Sequence, residues 1–169
     1  MCMPIIAYSG AHGTGKTTAT YRAAYELKMN NPSMEVGYIA ETARMCPFPL
    51  MGENSTTSKN GQIWVFAEQI RREQEAIRHY DLVVSDRTVC DSLAYAVLAF
   101  GEEDPVVRGM FEYVRGYLSE FKYQEVRFLT TTRNPFCVQD GFRATSGREE
   151  IEKILLDLYD RLSIPLVML

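Results

Sequence analysis

No C-x-x-C pair occurs in this sequence: its four cysteines, Cys2, Cys46, Cys90 and Cys137, lie far apart. That spacing offers neither a zinc site nor a disulfide framework, and reduced thiols in a cytoplasmic protein are the natural reading. Long apolar runs are missing as well. Nothing approaches the roughly 20 consecutive apolar residues of a membrane span, and the N-terminus has no basic region leading into an apolar segment, so a soluble chain with no membrane partner is expected. Basic charge is not in excess: 18 Lys and Arg against 22 Asp and Glu give a net charge of -4. This argues against a broad nucleic-acid footprint and leaves room only for a local basic channel. Repeats and low-complexity tracts are absent. With 169 residues, 46% of them hydrophobic, the chain can bury one good core, and residues 1–169 are expected to form a single domain.

What is present begins with an apolar run, Ile5 to Ser9, that enters the glycine loop Gly10-Ala11-His12-Gly13-Thr14-Gly15-Lys16-Thr17-Thr18. The spacing is G-x-x-x-x-G-K-[ST], with a strand expected before it and a helix after it. Glycines let consecutive backbone N–H groups approach phosphate oxygens, and the helix that follows points its positive dipole end at the same anion. Lys16, on a loop expected to face solvent, would reach the β- and γ-phosphates of ATP, and Thr17 would hold Mg²⁺ through its hydroxyl. His12 is expected to be a solvent-facing filler.

Along the chain, a first helix is predicted from about Gly15 to Met29 with Ala19, Ala23, Ala24 and Leu27 buried, then a strand from Met34 to Ala40. That strand delivers Glu41-Thr42-Ala43-Arg44 at its carboxyl end, where ligands bind in open parallel sheets. Residues 47–61 read as a long loop, part of a substrate cover. A helix is predicted for Gln62 to His79, with Ile63, Ala67, Ile70, Gln74 and Ile77 along one stripe. A second stripe carries Gln62, Phe66 and Gln69, where packing and solvent compete with ligand contact. Leu82 to Asp86 is a short buried strand ending in the carboxylate expected to share Mg²⁺ with the loop. Helices over Val89–Phe100 and Val106–Phe121, a strand over Glu125–Thr131, a helix from about Arg148 to Leu162 and a strand over Pro165–Leu169 complete an alternation of strands and helices. That pattern predicts an α/β fold with a parallel sheet of five strands covered by helices on both faces.

Four blocks carry a resemblance to a known family: the glycine loop, Glu41-Thr42-Ala43-Arg44, Asp86-Arg87 with Asp91-Ser92-Leu93-Ala94-Tyr95, and Gln139-Asp140-Gly141-Phe142-Arg143. Together they resemble the small P-loop kinases of nucleosides and nucleotides, most closely the nicotinamide-riboside-kinase-like branch. The third block also looks like thymidylate and deoxynucleoside kinases. The resemblance implies the P-loop NTPase fold with strand order 2-3-1-4-5 and a short lid at about residues 132–148. It implies Glu41 as the base for an acceptor hydroxyl, in keeping with what a carboxylate near the γ-phosphate can do; a compensating acid at a helix start is the plain alternative. By position Arg87 would contact phosphates, and Arg143, with Arg148 near it, would arrive with the lid. Arg44, Phe66, Gln69, Arg87 and Asp91 are the candidate acceptor-binding residues. The chain stops in its presumed fifth strand, where the family has an adenine-contacting loop, so Arg133 with Asn134 is the candidate holder of the donor base.

The expected activity is ATP- and Mg²⁺-dependent transfer of the γ-phosphoryl group to a hydroxyl of a nucleoside-like acceptor. Alternatives are a nucleoside-monophosphate kinase, a kinase of a modified base hydroxyl in DNA, against which the acidic charge counts, and a P-loop ATPase acting as a switch. Mechanical ATPases commonly place a glutamate after the aspartate that ends this strand; here Arg87 follows Asp86. A homodimer is the oligomer left open.

Overall fold

The computed structural model describes residues 2–50, 57–133 and 147–169. Strand β1 (Cys2–Ser9) leads through the glycine loop into α1 (Lys16–Asn30), and β2 (Val36–Ile39) follows. Next come α2 (Lys59–Ala76), β3 (Leu82–Asp86), α3 (Val89–Phe100) and α4 (Pro105–Glu120), then β4 (Lys122–Phe128), α5 (Arg148–Arg161) and β5 (Leu166–Met168). All pairings are parallel and the order is β2-β3-β1-β4-β5, as the sequence pattern and the resemblance implied.

Alternation along the strands assigns the two faces. Met3, Ile5 and Ala7 of β1, Val83 of β3 and Val126 and Phe128 of β4 pack against α2, α3, α4 and α5. Ile6, Tyr8, Leu82 and Val84 point the other way, onto Ala19, Ala23 and Leu27 of α1. Helices therefore cover both faces, but very unequally. Tyr8 pairs in register with Asp86, so β1 and β3 end at the same level and the glycine loop begins beside that carboxylate. The chain can leave β1 this way because residue 10 is glycine. Its φ is +132°, and an added Cβ would lie 2.3 Å from the Leu129 carbonyl oxygen, a contact no side chain can make.

Two elements depart from the sequence reading. In α2 the apolar stripe is only partly buried: Ile63 is exposed and Ile70 and Ile77 are half-buried against the core, while Gln62, Val65, Phe66, Gln69, Glu73 and Ala76 are buried. Gln69 and Glu73 on that face are satisfied by partners on other elements, which hydrophobicity alone does not reveal. β4 runs Lys122–Phe128 rather than 125–131 because its pairing with β1 begins at Cys2 and Lys122 and ends at Ser9 and Phe128. Thr131–Arg133 forms a 3₁₀ turn instead. The segment after β2 is also a 3₁₀ turn, Thr42–Met45. No helix among the described residues is long and apolar enough to cross a membrane.

Candidate active site

At the carboxyl ends of β1, β2 and β3 the candidate residues come together. Gly15, in the left-handed region at φ +88°, precedes α1 with no side-chain cap, which leaves the first amides of the helix to an anion. Lys16 is buried rather than solvent-facing: its Nζ donates to the Ala11 carbonyl and, at 3.2 Å, to Thr14 Oγ1. The loop thus wraps its own lysine, supplying acceptors where phosphate oxygens would stand. His12 is also buried, against expectation, because Tyr95 of α3 covers it with its hydroxyl 3.2 Å from Nδ1. Arg148, at the start of α5, donates Nε to the His12 carbonyl at 3.1 Å.

Thr17 Oγ1 donates to Asp86 Oδ2 at 2.6 Å. The other oxygen, Asp86 Oδ1, is buried and has no hydrogen-bond partner among the described residues. Burial pushes the Asp86 carboxyl above its ordinary range, and Arg87, the Thr17 hydroxyl and Lys16 pull against that shift. A buried carboxylate oxygen left over beside a threonine hydroxyl is a donor set that suits Mg²⁺, a hard cation with few protein ligands beside phosphate. If the pair serves a metal, Asp86→Asn should weaken nucleotide affinity in the presence of Mg²⁺ far more than affinity measured with chelator. Calorimetric titrations in both buffers check this, and equal losses in the two would make Asp86 structural.

Arg87 joins the loop to the end of β2. Its Nε and Nη2 donate to Glu41 Oε1 at 3.2 and 3.0 Å, and Nη1 donates to the Gly10 carbonyl at 2.9 Å and to Asp91 Oδ1 at 3.0 Å. Its guanidinium lies 5.6 Å from the centre of the Tyr95 ring. Arg44 Nε donates to the other oxygen of Glu41 at 3.0 Å, so Glu41, 5% exposed, stands between two arginines. The Arg87 backbone has φ +119°, a region that costs a non-glycine residue roughly 1–3 kcal/mol and persists only where its surroundings enforce it.

The remaining candidates stand behind this cluster. Asp91 Oδ2 accepts from the amide and hydroxyl of Thr88, a capping box that starts α3, while its Oδ1 holds Arg87. Phe66 is in the core, edge-on to Tyr113 at 5.7 Å. Gln69 is 1% exposed and bonds Thr42, Glu73, Ser85 and the Arg87 carbonyl. Arg143, Asn134, the Gln139–Arg143 block and the lid between 134 and 146 lie outside the described residues, as do residues 51–56 of the expected substrate cover. An open groove of about 720 Å³ runs from Gly15 and Thr18 between α1 and Leu129.

Sequence reasoning missed Glu73 entirely. It is fully buried, and its carboxylate accepts from Gln69 Nε2 at 2.9 Å, Tyr123 at 2.8 Å and Tyr117 at 3.1 Å. Burial raises its pKa to about 7 and outweighs those three donors, and Asp91 adds to the rise. Across from it, Cys90 on α3, Tyr117 on α4 and Tyr123 on β4 are all pushed upward by burial and stay protonated. A raised folded-state pKa means that stability is fully present below pH about 4.5 and is lost as pH climbs through about 7, because the native state then has to ionise in a poor environment. Glu73→Gln removes that loss. The difference in melting temperature, variant minus wild type, should therefore grow from pH 5 to pH 8, with at most about 3 kcal/mol behind it; parallel curves would refute the assignment.

The parallel sheet, the glycine loop with its lysine and the Thr17–Asp86 pair define a P-loop nucleotide-binding protein of the P-loop NTPase fold. Residues 5–169 match the family model described as an AAA domain, and the chain belongs to that family. No curated protein matches the chain. Among solved structures, deoxyadenosine kinase from M. mycoides is similar with a TM-score of 0.67 at 14% identity, over 98% of this chain and 89% of the other. Thymidylate kinase from Ehrlichia chaffeensis is similar with a TM-score of 0.67 at 14% identity, over 99% and 86%. At such identity the likeness is one of fold.

Proposed function

We propose that this chain is a kinase that moves the γ-phosphoryl group of ATP to a hydroxyl of a nucleoside-like acceptor. The observation that carries the reading is Arg87, which bonds both the Gly10 carbonyl of the donor loop and the Glu41 carboxylate at the end of β2. A switch ATPase has no use for a second carboxylate clamped to the loop in this way. Lys16 and the loop amides hold the donor phosphates, Arg87 balances the charge that spreads over the transferring group, and Arg143 joins it from the lid. Thr17 and Asp86 would hold Mg²⁺, which when bound neutralises phosphate charge and orients the group in transit. Glu41 takes the hydroxyl proton as the acceptor oxygen bonds to the γ-phosphorus and the bond from that phosphorus to the bridging oxygen breaks, ADP leaving with the electron pair. Arg44, half of whose side chain is exposed, holds the second oxygen of Glu41 from the solvent side.

That same Arg44 favours a second reading. A half-exposed guanidinium beside a buried one can hold a phosphate bidentately, which is what a nucleoside-monophosphate acceptor would need. The two structural neighbours carry the names of a nucleoside kinase and a nucleotide kinase, the same two acceptors. The nicotinamide-riboside-kinase-like assignment rests on the four sequence blocks, and within it residues 1–169 act as one domain with a lid at about 132–148. A transfer screen with γ-labelled ATP against nucleosides, nicotinamide riboside, nucleoside monophosphates and oligonucleotides tests the reading. A labelled nucleoside supports it, a labelled monophosphate selects the second reading, and ATP hydrolysis unaffected by every acceptor rejects both.

A further inference from the structure

We infer that Gln69 and Glu73, two buried side chains of α2, are positioning residues that fix the main chain of Arg87 and the hydroxyl of Thr42, and through them the geometry of the Arg87–Glu41 pair. The inference rests on the kinase reading only for its catalytic consequence. Its structural basis is a directed set of hydrogen bonds.

Gln69 is the junction. Its Oε1 accepts from Thr42 Oγ1 at 2.7 Å, next in sequence to Glu41, and its Nε2 faces Glu73 Oε1 at 2.9 Å, Ser85 Oγ at 3.2 Å and the Arg87 carbonyl at 3.4 Å. Ser85 Oγ also donates to that carbonyl, at 2.7 Å. These two side chains grip the carbonyl of a residue whose φ of +119° needs external support, and the grip is what an unfavourable backbone conformation requires. The amide of Gln69 works only one way round. Flipped, it would aim its oxygen at the Arg87 carbonyl and its NH₂ at the Thr42 side.

Glu73 sets that orientation. Glu73 Oε1, which accepts from the Tyr123 hydroxyl and stands 2.9 Å from Gln69 Nε2, turns the NH₂ end toward itself and leaves the oxygen for Thr42. Glu73 is anchored in turn by Tyr117 of α4 and by Tyr123 of β4, and the Tyr123 hydroxyl also accepts from the Val89 amide at the start of α3. Elements on the far side of the core thereby determine where the arginine and the carboxylate stand. None of these atoms needs to touch a substrate.

The variants Gln69→Leu, Gln69→Glu, Glu73→Leu and Glu73→Gln test this at 25 °C, after melting curves confirm that each is folded there. Gln69→Leu removes the grip. Gln69→Glu keeps the acceptor for Thr42 and sets a new acceptor against Glu73 and the Arg87 carbonyl. Both should lower kcat with the best acceptor by roughly tenfold to a hundredfold, the cost of a misplaced catalytic pair, with the Kd for Mg-ATP changed less than threefold, roughly within the noise of binding assays. Glu73→Leu leaves Gln69 without that acceptor and should lower kcat likewise, while the conservative Glu73→Gln keeps an oxygen for Gln69 and should keep kcat near normal. Wild-type kcat in Glu73→Leu would take Glu73 out of the positioning role. A second readout does not depend on turnover: the arginine Nε–H resonance of Arg87, assigned by its disappearance in Arg87→Lys, should move in both Gln69 variants and stay in place in Glu73→Gln. If no acceptor is ever phosphorylated, the kinase reading fails and the resonance still decides the positioning role. An unmoved resonance in both Gln69 variants, or wild-type kcat in both, overturns it.

Discussion

Lys16→Ala should remove most phosphoryl transfer, by about 10²-fold or more in kcat, if the lysine has the role proposed for it of stabilising charge on the phosphoryl oxygens during transfer. The structure adds a second effect that a solvent-facing lysine would not have. Lys16 is buried and bonds Ala11 and Thr14 within the loop, so its removal takes tethers from the loop itself as well. Each tether contributes about 1 kcal/mol or somewhat more, being charge-assisted, and a modest fall in melting temperature without nucleotide should accompany the loss of activity. Ligand-induced stabilisation separates the two effects. At a hundredfold excess over its dissociation constant, Mg-ATP should stabilise wild type by about 2.7 kcal/mol by mass action, and the variant much less at the same concentration. Equal shifts for both proteins, measured by thermal melting with and without Mg-ATP, would take Lys16 out of the donor site.

The donor half of this site was legible because its determinants are local. Eight residues from Gly10 to Thr17 specify a turn, a set of amides and a helix start, and the strand Leu82–Asp86 ends where its apolar run ends. Glu41 and Arg87 could be placed near each other because both follow strands of one parallel sheet. Their contact could not be read, since it depends on an arginine backbone held in an unusual conformation. The same limit explains His12, buried by a tyrosine 83 positions away. It explains α2 most fully. A buried face containing Gln62, Gln69 and Glu73 looks like a wet face until Tyr117 and Tyr123 are known to stand opposite, and those tyrosines lie 44 and 50 residues downstream of Glu73. Periodicity reports which residues share a face, and long-range hydrogen bonding decides which face can be buried.

Glu41→Gln and Arg44→Ala together decide what the acceptor is. If Glu41 accepts a hydroxyl proton, the glutamine variant should lose roughly 10²–10⁴-fold in turnover with little change in ATP affinity, since the amide keeps size and an oxygen for Arg87 but cannot take a proton. The pairing seen here supports a clean reading of that variant. Arg87 keeps Asp91 and the Gly10 carbonyl as partners, so it is not left as an isolated buried cation. Arg87→Ala is the harsher change. It strands the Glu41 and Asp91 carboxylates, 5% and 2% exposed, with one partner fewer each, and breaking a buried pair from one side costs about 3–5 kcal/mol. Denaturant unfolding should show that loss, while Arg44→Ala, at a half-exposed position, should shift stability by no more than about 1 kcal/mol. A phosphate-bearing acceptor is already ionised at neutral pH and needs no base. For such an acceptor Arg44→Ala should raise its KM strongly while Glu41→Gln barely changes kcat. Steady-state kinetics of the Glu41 and Arg44 variants with the best substrate from the screen separate the cases: near-normal turnover in Glu41→Gln ends the hydroxyl-acceptor reading, and an unchanged acceptor KM in Arg44→Ala ends the monophosphate one.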